Sequence, residues 1–337
     1  MHGSGQDNMI REQEKPRLIV VMGPTAAGKT RTAIALAEFC NGEIVSADSM
    51  QVYRHMDIGT AKPTPAEQGQ VRHHLIDIVN PDEPFSAASF MERARAAITD
   101  LHRRGKGIVV TGGTGLYIRA LLGGLFDGPG ADEALRRSYA AILEREGKPG
   151  LYEILKTKDS RAAAIIHPND VARTVRALEV LELTGVSIVD QQQDHGFAQR
   201  PYSVLKIGLR MERPRLYERI EARTDQMMAL GFLEEVQGLL DMGFSGDLKP
   251  MQALGYRQLV RVLKGTLGLE EAVTSIKRET RRYAKRQLTW FGADPEISWF
   301  DAGDREGILQ SARRLLERNP TSRSPLQSGG TLQNPLT

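Results

Sequence analysis

The stretch that decides the fold is the apolar run RLIVVM at residues 17–22, followed directly by GPTAAGKT at residues 23–30. The second part fits the pattern G-x-x-x-x-G-K-[ST] at every fixed position. The apolar run predicts a buried strand, and residues 32–40 predict a helix after the loop. Because this is the strand–loop–helix context that gives the pattern its mechanism, we expect a phosphate-binding P-loop.

The chemistry of such a loop follows from its residue types. The glycines at 23 and 28 let the backbone curl so that successive N–H groups point inward. Lys29 adds a positive charge, and the hydroxyl of Thr30 can ligate Mg²⁺. The expected guest is a polyphosphate, and the loop alone leaves open whether it is a nucleoside triphosphate or another diphosphate.

Composition sets the broad class of the protein. The chain has 337 residues, of which 40% are hydrophobic and 26% charged, which is ordinary for a globular protein of about two domains. The single cysteine, Cys40, excludes an intrachain disulfide and a cysteine-based zinc site. The polar N-terminus and the lack of an apolar run of about 18 residues predict a cytoplasmic protein with no membrane segment.

Strands and helices alternate along the first third of the chain. Strands are predicted at about 43–47, 74–78 and 107–111, and a helix runs from Ser86 to about Arg104. This order predicts an α/β fold, a P-loop NTPase-like parallel sheet flanked by helices.

The character of the sequence changes near residue 125. Glycine and proline mark a boundary at 123–130, residues 132–184 read as basic helices, and strand character returns at 202–209. We therefore predict a P-loop core at 16–125 and 202–317, with a mainly helical insertion domain at 126–201. Later helices are predicted at about 214–230, 232–242, 255–264 and 270–291, and residues 318–337 are predicted to be a disordered tail.

An acid follows the second predicted strand, at the edge of the sheet where ligands bind in open α/β folds. This acid is Asp48, with Ser49 and Gln51 beside it. P-loop NTPases usually place an acid for Mg²⁺ at the end of a hydrophobic strand, yet residues 108–110 end in Thr111-Gly112-Gly113-Thr114. Asp48 is better suited to accept a proton from a substrate or to orient it.

Basic side chains recur on several predicted helices. Arg223 lies three residues past Ile220, near the apolar edge of its helix, which favours an inward-facing phosphate ligand. The segment 277–286 predicts a broad positive face of the kind that contacts a nucleic-acid backbone. Its two rows are Lys277, Arg281 and Lys285, and Arg278, Arg282 and Arg286, and Arg173 and Arg176 add a further basic pair in the insertion.

Seven segments, in this order, resemble the signatures of the tRNA dimethylallyltransferase family, also called tRNA isopentenyltransferases. They are GPTAAGKT at 23–30, SADSMQVY at 46–53, DIGTAKP at 57–63, GGTGLY at 112–117, HPND at 167–170, GYRQ at 255–258 and KRQLTWF at 285–291. The P-loop alone is unspecific, whereas the ordered set is highly specific.

The resemblance implies transfer of the dimethylallyl group from dimethylallyl diphosphate to the N6 amine of the adenosine at position 37, in the anticodon stem-loop of tRNA. It implies that Asp48 is the general base, that Thr30, Lys29 and Arg223 bind the leaving pyrophosphate, and that Thr30 ligates Mg²⁺. The diphosphate-binding residues are then Gly23, Pro24, Thr25, Ala26, Ala27, Gly28, Lys29 and Thr30. The tRNA-binding residues are Asp48, Ser49, Met50, Gln51, Thr114, Arg136, Ala172, Arg173, Arg176, Gln252, Gly255, Tyr256, Arg257, Arg281, Lys285, Arg286 and Gln287.

Two other functions stay open at this point. The same group can be transferred to free AMP or ADP, but a mononucleotide needs no broad basic surface. A P-loop kinase or an NTP-dependent RNA-binding switch protein is the alternative from another class, and the missing acid after residues 108–110 argues against it. We expect a monomer.

Overall fold

A six-stranded parallel sheet forms the centre of the protein in a computed structural model, which describes residues 15–126 and 128–317. The strands are β1 Arg17–Met22, β2 Gly42–Ser46, β3 His73–His74, β4 Gly107–Gly112, β5 Ser203–Arg210 and β6 Ser298–Asp301. Their order is β3-β2-β4-β1-β5-β6. The predicted tail at 318–337 lies outside the described residues.

The P-loop strand lies inside the sheet. In the register of the sheet, Met22 at the end of β1 pairs with Gly112 of β4 on one side and with Gly208 of β5 on the other. All described pairings are parallel, so the carboxyl ends of the strands meet at one edge. The P-loop, the Asp48 segment after β2 and the Gly-Gly-Thr turn after β4 therefore begin at the same edge.

Thirteen α-helices lie in the described part of the chain. The first five are α1 Lys29–Phe39, α2 Pro65–Gln70, α3 Ala87–Arg103, α4 Gly115–Gly123 and α5 Glu133–Lys158. The next four are α6 Ser160–Ile165, α7 Val171–Thr184, α8 Ile188–His195 and α9 Arg213–Ala229. The last four are α10 Phe232–Asp241, α11 Tyr256–Leu263, α12 Leu269–Gly292 and α13 Arg305–Glu317.

The chain divides into two compact units. The first contains the described residues up to Phe85, Arg93–Gly115 and the described residues from Tyr202 onward, and the second contains Ser86–Glu92 and Leu116–Pro201. The predicted insertion at 126–201 lies within the second unit. That unit has its own core, in which Tyr139, Leu155 and Leu178 are buried.

The core of the first unit packs on the sheet. Ile19, Val21 and Val109 of the strands contact buried residues of α1, such as Leu36, and of α13, such as Ile308. Cys40 follows α1, is partly buried and packs against the same cluster. The apolar strand residues are therefore covered by helices, as a parallel sheet requires.

The fold differs from the sequence predictions in two ways. The strand predicted at 74–78 is wrong beyond His74, because Leu75 and Asp77 have φ angles of 64° and 56°, in the left-handed region and outside the β region. Strand β6 and helix α13 were not predicted from the sequence. None of the helices in the described residues has both the length and the apolar character needed to cross a membrane.

Candidate active site

The P-loop curls between β1 and α1 through residues with positive φ. Gly23, Ala26 and Gly28 have φ angles of 147°, 63° and 92°. A side chain at Gly23 would bring its Cβ to 2.6 Å from the carbonyl oxygen of Leu209 on the neighbouring strand, so only glycine fits there. No side chain caps the start of α1, and its first N–H groups stay available to an anion.

Lys29 is the first residue of α1, and its side chain reaches back to the start of the loop. Its ammonium donates a hydrogen bond to the carbonyl oxygen of Pro24 at 2.8 Å. Burial lowers the pKa of Lys29 to about 8, the nearby carboxylate of Asp48 opposes this shift and the guanidinium of Arg223 adds to it. Burial likewise lowers the pKa of Arg223, and Asp48 opposes that shift too. A bound anion would raise both pKa values again, so the burial of these two cations favours anion binding at this point.

Gln287 of α12 joins the P-loop to the turn after β4. Its carboxamide oxygen accepts a hydrogen bond from the N–H of Thr25 at 2.8 Å, and its amide nitrogen donates to the carbonyl oxygen of Gly113 at 3.0 Å. The side chain is buried, and both halves of its amide are satisfied. One residue, more than 250 positions along the chain from Thr25, thereby fixes two glycine-rich loops.

The carboxylate of Asp48 is held by the backbone that follows it. One of its oxygens accepts hydrogen bonds from the N–H of Met50 at 2.8 Å and from the N–H of Gln51 at 3.4 Å. The N–H of Ser49 donates to the hydroxyl of Thr114 at 3.0 Å. These contacts fix the orientation of the carboxylate before any substrate arrives.

Two cavities meet at Asp48. The first, the anion cavity, has a volume of about 470 Å³ and is lined by P-loop residues Gly28, Lys29 and Thr30 together with Arg219 and Arg223. The second, the apolar cavity, has a volume of about 380 Å³. Its side-chain wall contains Ile220, Met227, Phe232, Leu254, Ile276 and Tyr283.

A small set of residues lines both cavities. These residues are Thr25, Ala26, Lys29, Asp48, Thr60, Ala61 and Arg223. A molecule with a diphosphate at one end and an apolar group at the other fits this pair of cavities, with its charged part near the cations. Because Asp48 lines both cavities, its carboxylate lies where the two parts of such a molecule would join, and a carboxylate at that point is of the type that accepts a proton from a second reactant.

Most of the predicted diphosphate-binding residues lie at the anion cavity. Thr25, Ala26, Gly28, Lys29 and Thr30 line it, whereas Gly23, Pro24 and Ala27 shape the loop behind it. The hydroxyl of Thr30 is the protein oxygen that the sequence assigns to Mg²⁺. No group of three or more His, Cys, Asp or Glu side chains in the described residues is arranged to hold a metal ion.

The predicted tRNA-binding residues of the first unit divide into those that line a cavity and those that do not. Those that line the apolar cavity are Asp48, Ser49, Met50, Gly255, Tyr256, Arg257, Arg286 and Gln287, and Gln51 lines the anion cavity. Thr114, Gln252, Arg281 and Lys285 line neither. Gln252 is exposed and donates a hydrogen bond to the carbonyl oxygen of Gly246 at 2.6 Å.

The broad positive face predicted on α12 is partly neutralised. Lys277 forms an ion pair with Asp225 at 2.6 Å, and Arg281 forms one with Glu221 at 2.5 Å. Glu279 lies 2.7 Å from Arg282 and 3.7 Å from Arg278. Asp225 and Glu221 belong to α9, so acids of a neighbouring helix neutralise part of this face. Lys285 and Arg286 remain exposed.

In the second unit, two predicted tRNA-binding arginines surround a buried acid. Glu179 is 0% exposed and accepts hydrogen bonds from Arg136 at 2.8 Å and from Arg176 at 2.5 Å. Arg176 also donates to the carbonyl oxygen of Pro129 at 2.7 Å. These arginines therefore contact the unit's own residues. Ala172 and Arg173 are exposed and lie on α7, the helix that also carries Arg176.

The apolar wall was missed by the sequence reading. Ile220 and Met227 lie on α9, and Ile276 and Tyr283 lie on α12. Burial raises the pKa of Tyr283, and the charge of Asp48 contributes to the rise. The helical spacing of these residues was visible, but it is also the spacing of ordinary core residues, so it did not mark them as a cavity wall.

Several known proteins are similar to this chain. The family model described as IPP transferase matches residues 51–294. A protein of Syntrophus aciditrophicus (strain SB) named tRNA dimethylallyltransferase 2 is 74% identical over 303 residues, which cover 90% of this chain and 97% of that protein.

Two solved structures are also similar. The tRNA isopentenylpyrophosphate transferase from Bacillus halodurans is 42% identical, with a TM-score of 0.66 over 90% of this chain and 100% of its own. A eukaryotic dimethylallyltransferase, described as acting on tRNA, is 29% identical with a TM-score of 0.71 over 88% of this chain and 77% of its own. This chain, with its P-loop, its strand-end Asp48 and the two cavities between them, belongs to the tRNA dimethylallyltransferase family of IPP transferases.

Proposed function

We propose that this protein transfers the dimethylallyl group of dimethylallyl diphosphate to the N6 amine of adenosine 37 in the anticodon stem-loop of tRNA. The observation that carries the proposal is the position of Asp48, which lines both the anion cavity and the apolar cavity. The donor's diphosphate would lie at the P-loop, its C5 group would extend toward the apolar wall, and the adenine would enter beside Asp48.

The leaving group determines whether an allylic carbon becomes reactive. As the bond between the allylic carbon and the diphosphate oxygen breaks, negative charge develops on the pyrophosphate. Lys29, Arg223 and the N–H groups at the start of α1 line the space where that charge appears. Groups that are already oriented toward developing charge lower the barrier, because they need little reorganisation.

The nucleophile is an exocyclic amine conjugated with the adenine ring, so its basicity is low. Asp48 would accept a proton from N6 as the new bond between nitrogen and carbon forms. Its carboxylate is held in place by the N–H groups of Met50 and Gln51. The reaction then yields N6-(dimethylallyl)adenosine, pyrophosphate and a protonated Asp48, which returns the proton to water.

Mg²⁺ fits the residues at the anion cavity. Thr30 would supply one protein oxygen, and diphosphate oxygens and water would complete the coordination, as is usual for Mg²⁺ at phosphate sites. When bound, the ion would neutralise charge on the leaving pyrophosphate. The monomeric state and the cytoplasmic location stay predictions.

A transfer assay tests the proposal. Purified protein is incubated with Mg²⁺, dimethylallyl diphosphate and unmodified tRNA, and the nucleosides are analysed by mass spectrometry after digestion. We expect one added C5H8 unit on the adenosine at position 37. A tRNA in which guanosine replaces that adenosine is the matched control, and labelling of this control tRNA would contradict the proposed acceptor.

The alternatives predict different products in the same assay. An AMP or ADP dimethylallyltransferase would label the free nucleotide and leave tRNA unmodified, whereas a kinase would consume ATP without prenyl transfer. The relatives named as acting on tRNA support the tRNA reaction over both.

A further inference from the structure

The loop at residues 57–61 forms part of the apolar cavity, and its backbone is hydrogen-bonded to the carboxylate of Glu235. Gly59, Thr60 and Ala61 line the cavity, so the position of their backbone sets its shape. Glu235, which lies in the first turn of α10, does not line either cavity.

The carboxylate of Glu235 accepts hydrogen bonds from three successive backbone N–H groups. One oxygen accepts from Asp57 at 2.8 Å and Ile58 at 2.6 Å, and the other accepts from Gly59 at 3.1 Å. Three oriented N–H groups around one carboxylate form a strong charge-assisted contact, about twice as strong per bond as a neutral hydrogen bond.

The same carboxylate also fixes an aromatic residue of the cavity. The hydroxyl of Tyr256 donates a hydrogen bond to Glu235 at 2.7 Å, and its ring packs edge-on against Phe232 with the ring centroids 5.0 Å apart. Burial, together with the charge of Glu235, raises the pKa of Tyr256 well above its usual value, so this hydroxyl remains a donor. A side chain at Gly59 would collide with both rings, which keeps the loop close to them.

The loop is also hydrogen-bonded to a residue that contacts Asp48. The carbonyl oxygens of Thr60 and Ala61 accept hydrogen bonds from the amide of Gln51 at 3.4 and 3.3 Å. Gln51 in turn follows Asp48 and donates its own N–H to the Asp48 carboxylate. Glu235, the 57–61 loop, Gln51 and Asp48 therefore form a continuous series of hydrogen-bonded groups.

We propose that Glu235 is a positioning residue: it holds the 57–61 loop and Tyr256 in the shape that admits the acceptor base beside Asp48. This inference rests on the proposed function. It assigns Glu235 to productive use of tRNA and not to binding of the diphosphate, because the two cavity residues that it contacts, Gly59 and Tyr256, line the apolar cavity and not the anion cavity.

The substitution Glu235→Gln tests the role, since glutamine keeps the volume but offers one acceptor oxygen in place of two. We expect kcat/KM for tRNA to fall by about tenfold or more, while the Kd for inorganic pyrophosphate changes by less than about threefold. Hydrogen exchange at the amides of 57–59 should become faster. Glu234→Gln is the matched control, because Glu234 is an exposed acid of the same helical turn.

Three results would overturn the proposal. The first is an unchanged kcat/KM for tRNA in Glu235→Gln, and the second is an equal loss of pyrophosphate affinity, which would indicate general damage. The third is the same loss in Glu234→Gln, which would indicate an effect of net charge. If the unsubstituted protein transfers no dimethylallyl group, the proposed function fails instead, and the exchange of the 57–59 amides still decides whether Glu235 holds the loop.

Discussion

The carboxylate of Asp48 raises the pKa of Lys29 against the lowering that burial imposes. The two residues come from different loops, one following β1 and one following β2, and both line the anion cavity and the apolar cavity. Asp48, the proposed general base for the acceptor adenine, therefore also helps to keep Lys29 protonated. Lys29 is one of the cations proposed to bind the leaving pyrophosphate. Substitution of Asp48 should therefore be visible in the titration of Lys29.

Pyrophosphate binding should weaken as the pH rises through about 8. The pKa of Lys29 is lowered to about 8, so the free lysine is charged below that pH and loses its proton above it. Binding above pH 8 must first take up a proton, which raises Kd by about tenfold per pH unit. Calorimetric titration with pyrophosphate between pH 6.5 and 9.5 measures the change in Kd. The Lys29→Arg protein corrects for the ionisation of pyrophosphate itself, because arginine stays charged over this range. Parallel curves for the two proteins would contradict the assignment.

Asp48→Asn should impair chemistry and shift that titration. The asparagine oxygen can still accept from Met50 and Gln51, so the turn is retained, but the side chain can no longer take a proton. We expect single-turnover transfer to slow by about 10²-fold or more. Loss of the negative charge should move the Lys29 titration below pH 8. Asp82→Asn, at an exposed position, is the control, and a normal transfer rate in Asp48→Asn would remove Asp48 as the base.

Local patterns were sufficient to predict the P-loop, the α/β class and the acid after β2. The loop motif covers eight consecutive residues, and alternating strands and helices can be recognised without knowledge of tertiary contacts. The short edge strand β6 was missed because four partly exposed residues carry little periodic signal.

Contacts between distant parts of the chain could not be predicted. The bonds from Gln287 to Thr25 and from Glu235 to the 57–59 amides join residues 262 and 176–178 positions apart. The acids that pair with Lys277 and Arg281 also come from another helix, which is why the positive face of α12 was overestimated. A helix sequence shows the charges on its own face and not those of the helix packed against it.

Gln287→Leu should weaken both the fold and the phosphate site. It removes the partners of the Thr25 N–H and the Gly113 carbonyl, and an unsatisfied buried polar group costs about 1–3 kcal/mol. The P-loop would lose the contact that orients Thr25, so pyrophosphate affinity should fall as well. Urea unfolding and calorimetry measure the two effects, with the exposed Gln237→Leu as control. Lower stability with unchanged affinity would show that Gln287 does not shape the loop.

Glu43→Gln should reduce stability without changing transfer. Hydrogen bonds from Arg104 lower the pKa of Glu43 to about 2, and His74 contributes on the other side of the carboxylate. A lowered carboxyl pKa gives stability that is present above its unfolded pKa of about 4.5 and is lost as the pH falls toward 2.

The loss at pH 7 should be about 1–3 kcal/mol in the free energy of unfolding, and the difference from the unsubstituted protein should shrink below pH 4.5. Urea unfolding at several pH values measures it, with the exposed Glu38→Gln as control. A difference that is independent of pH would contradict the charged contact.

The ion pairs of α12 predict that its lysines contribute unequally to tRNA binding. Lys285 is exposed and takes part in no ion pair among the described residues, whereas Lys277 is paired with Asp225. A lysine that contacts phosphate releases counterions, so Lys285→Ala should reduce the slope of log K against log salt concentration by about 1. The neutral double substitution Lys277→Ala/Asp225→Ala should leave the slope almost unchanged, because it removes no net charge. Filter binding at several salt concentrations measures both, and equal slopes for the two variants would mean that Lys285 does not contact tRNA.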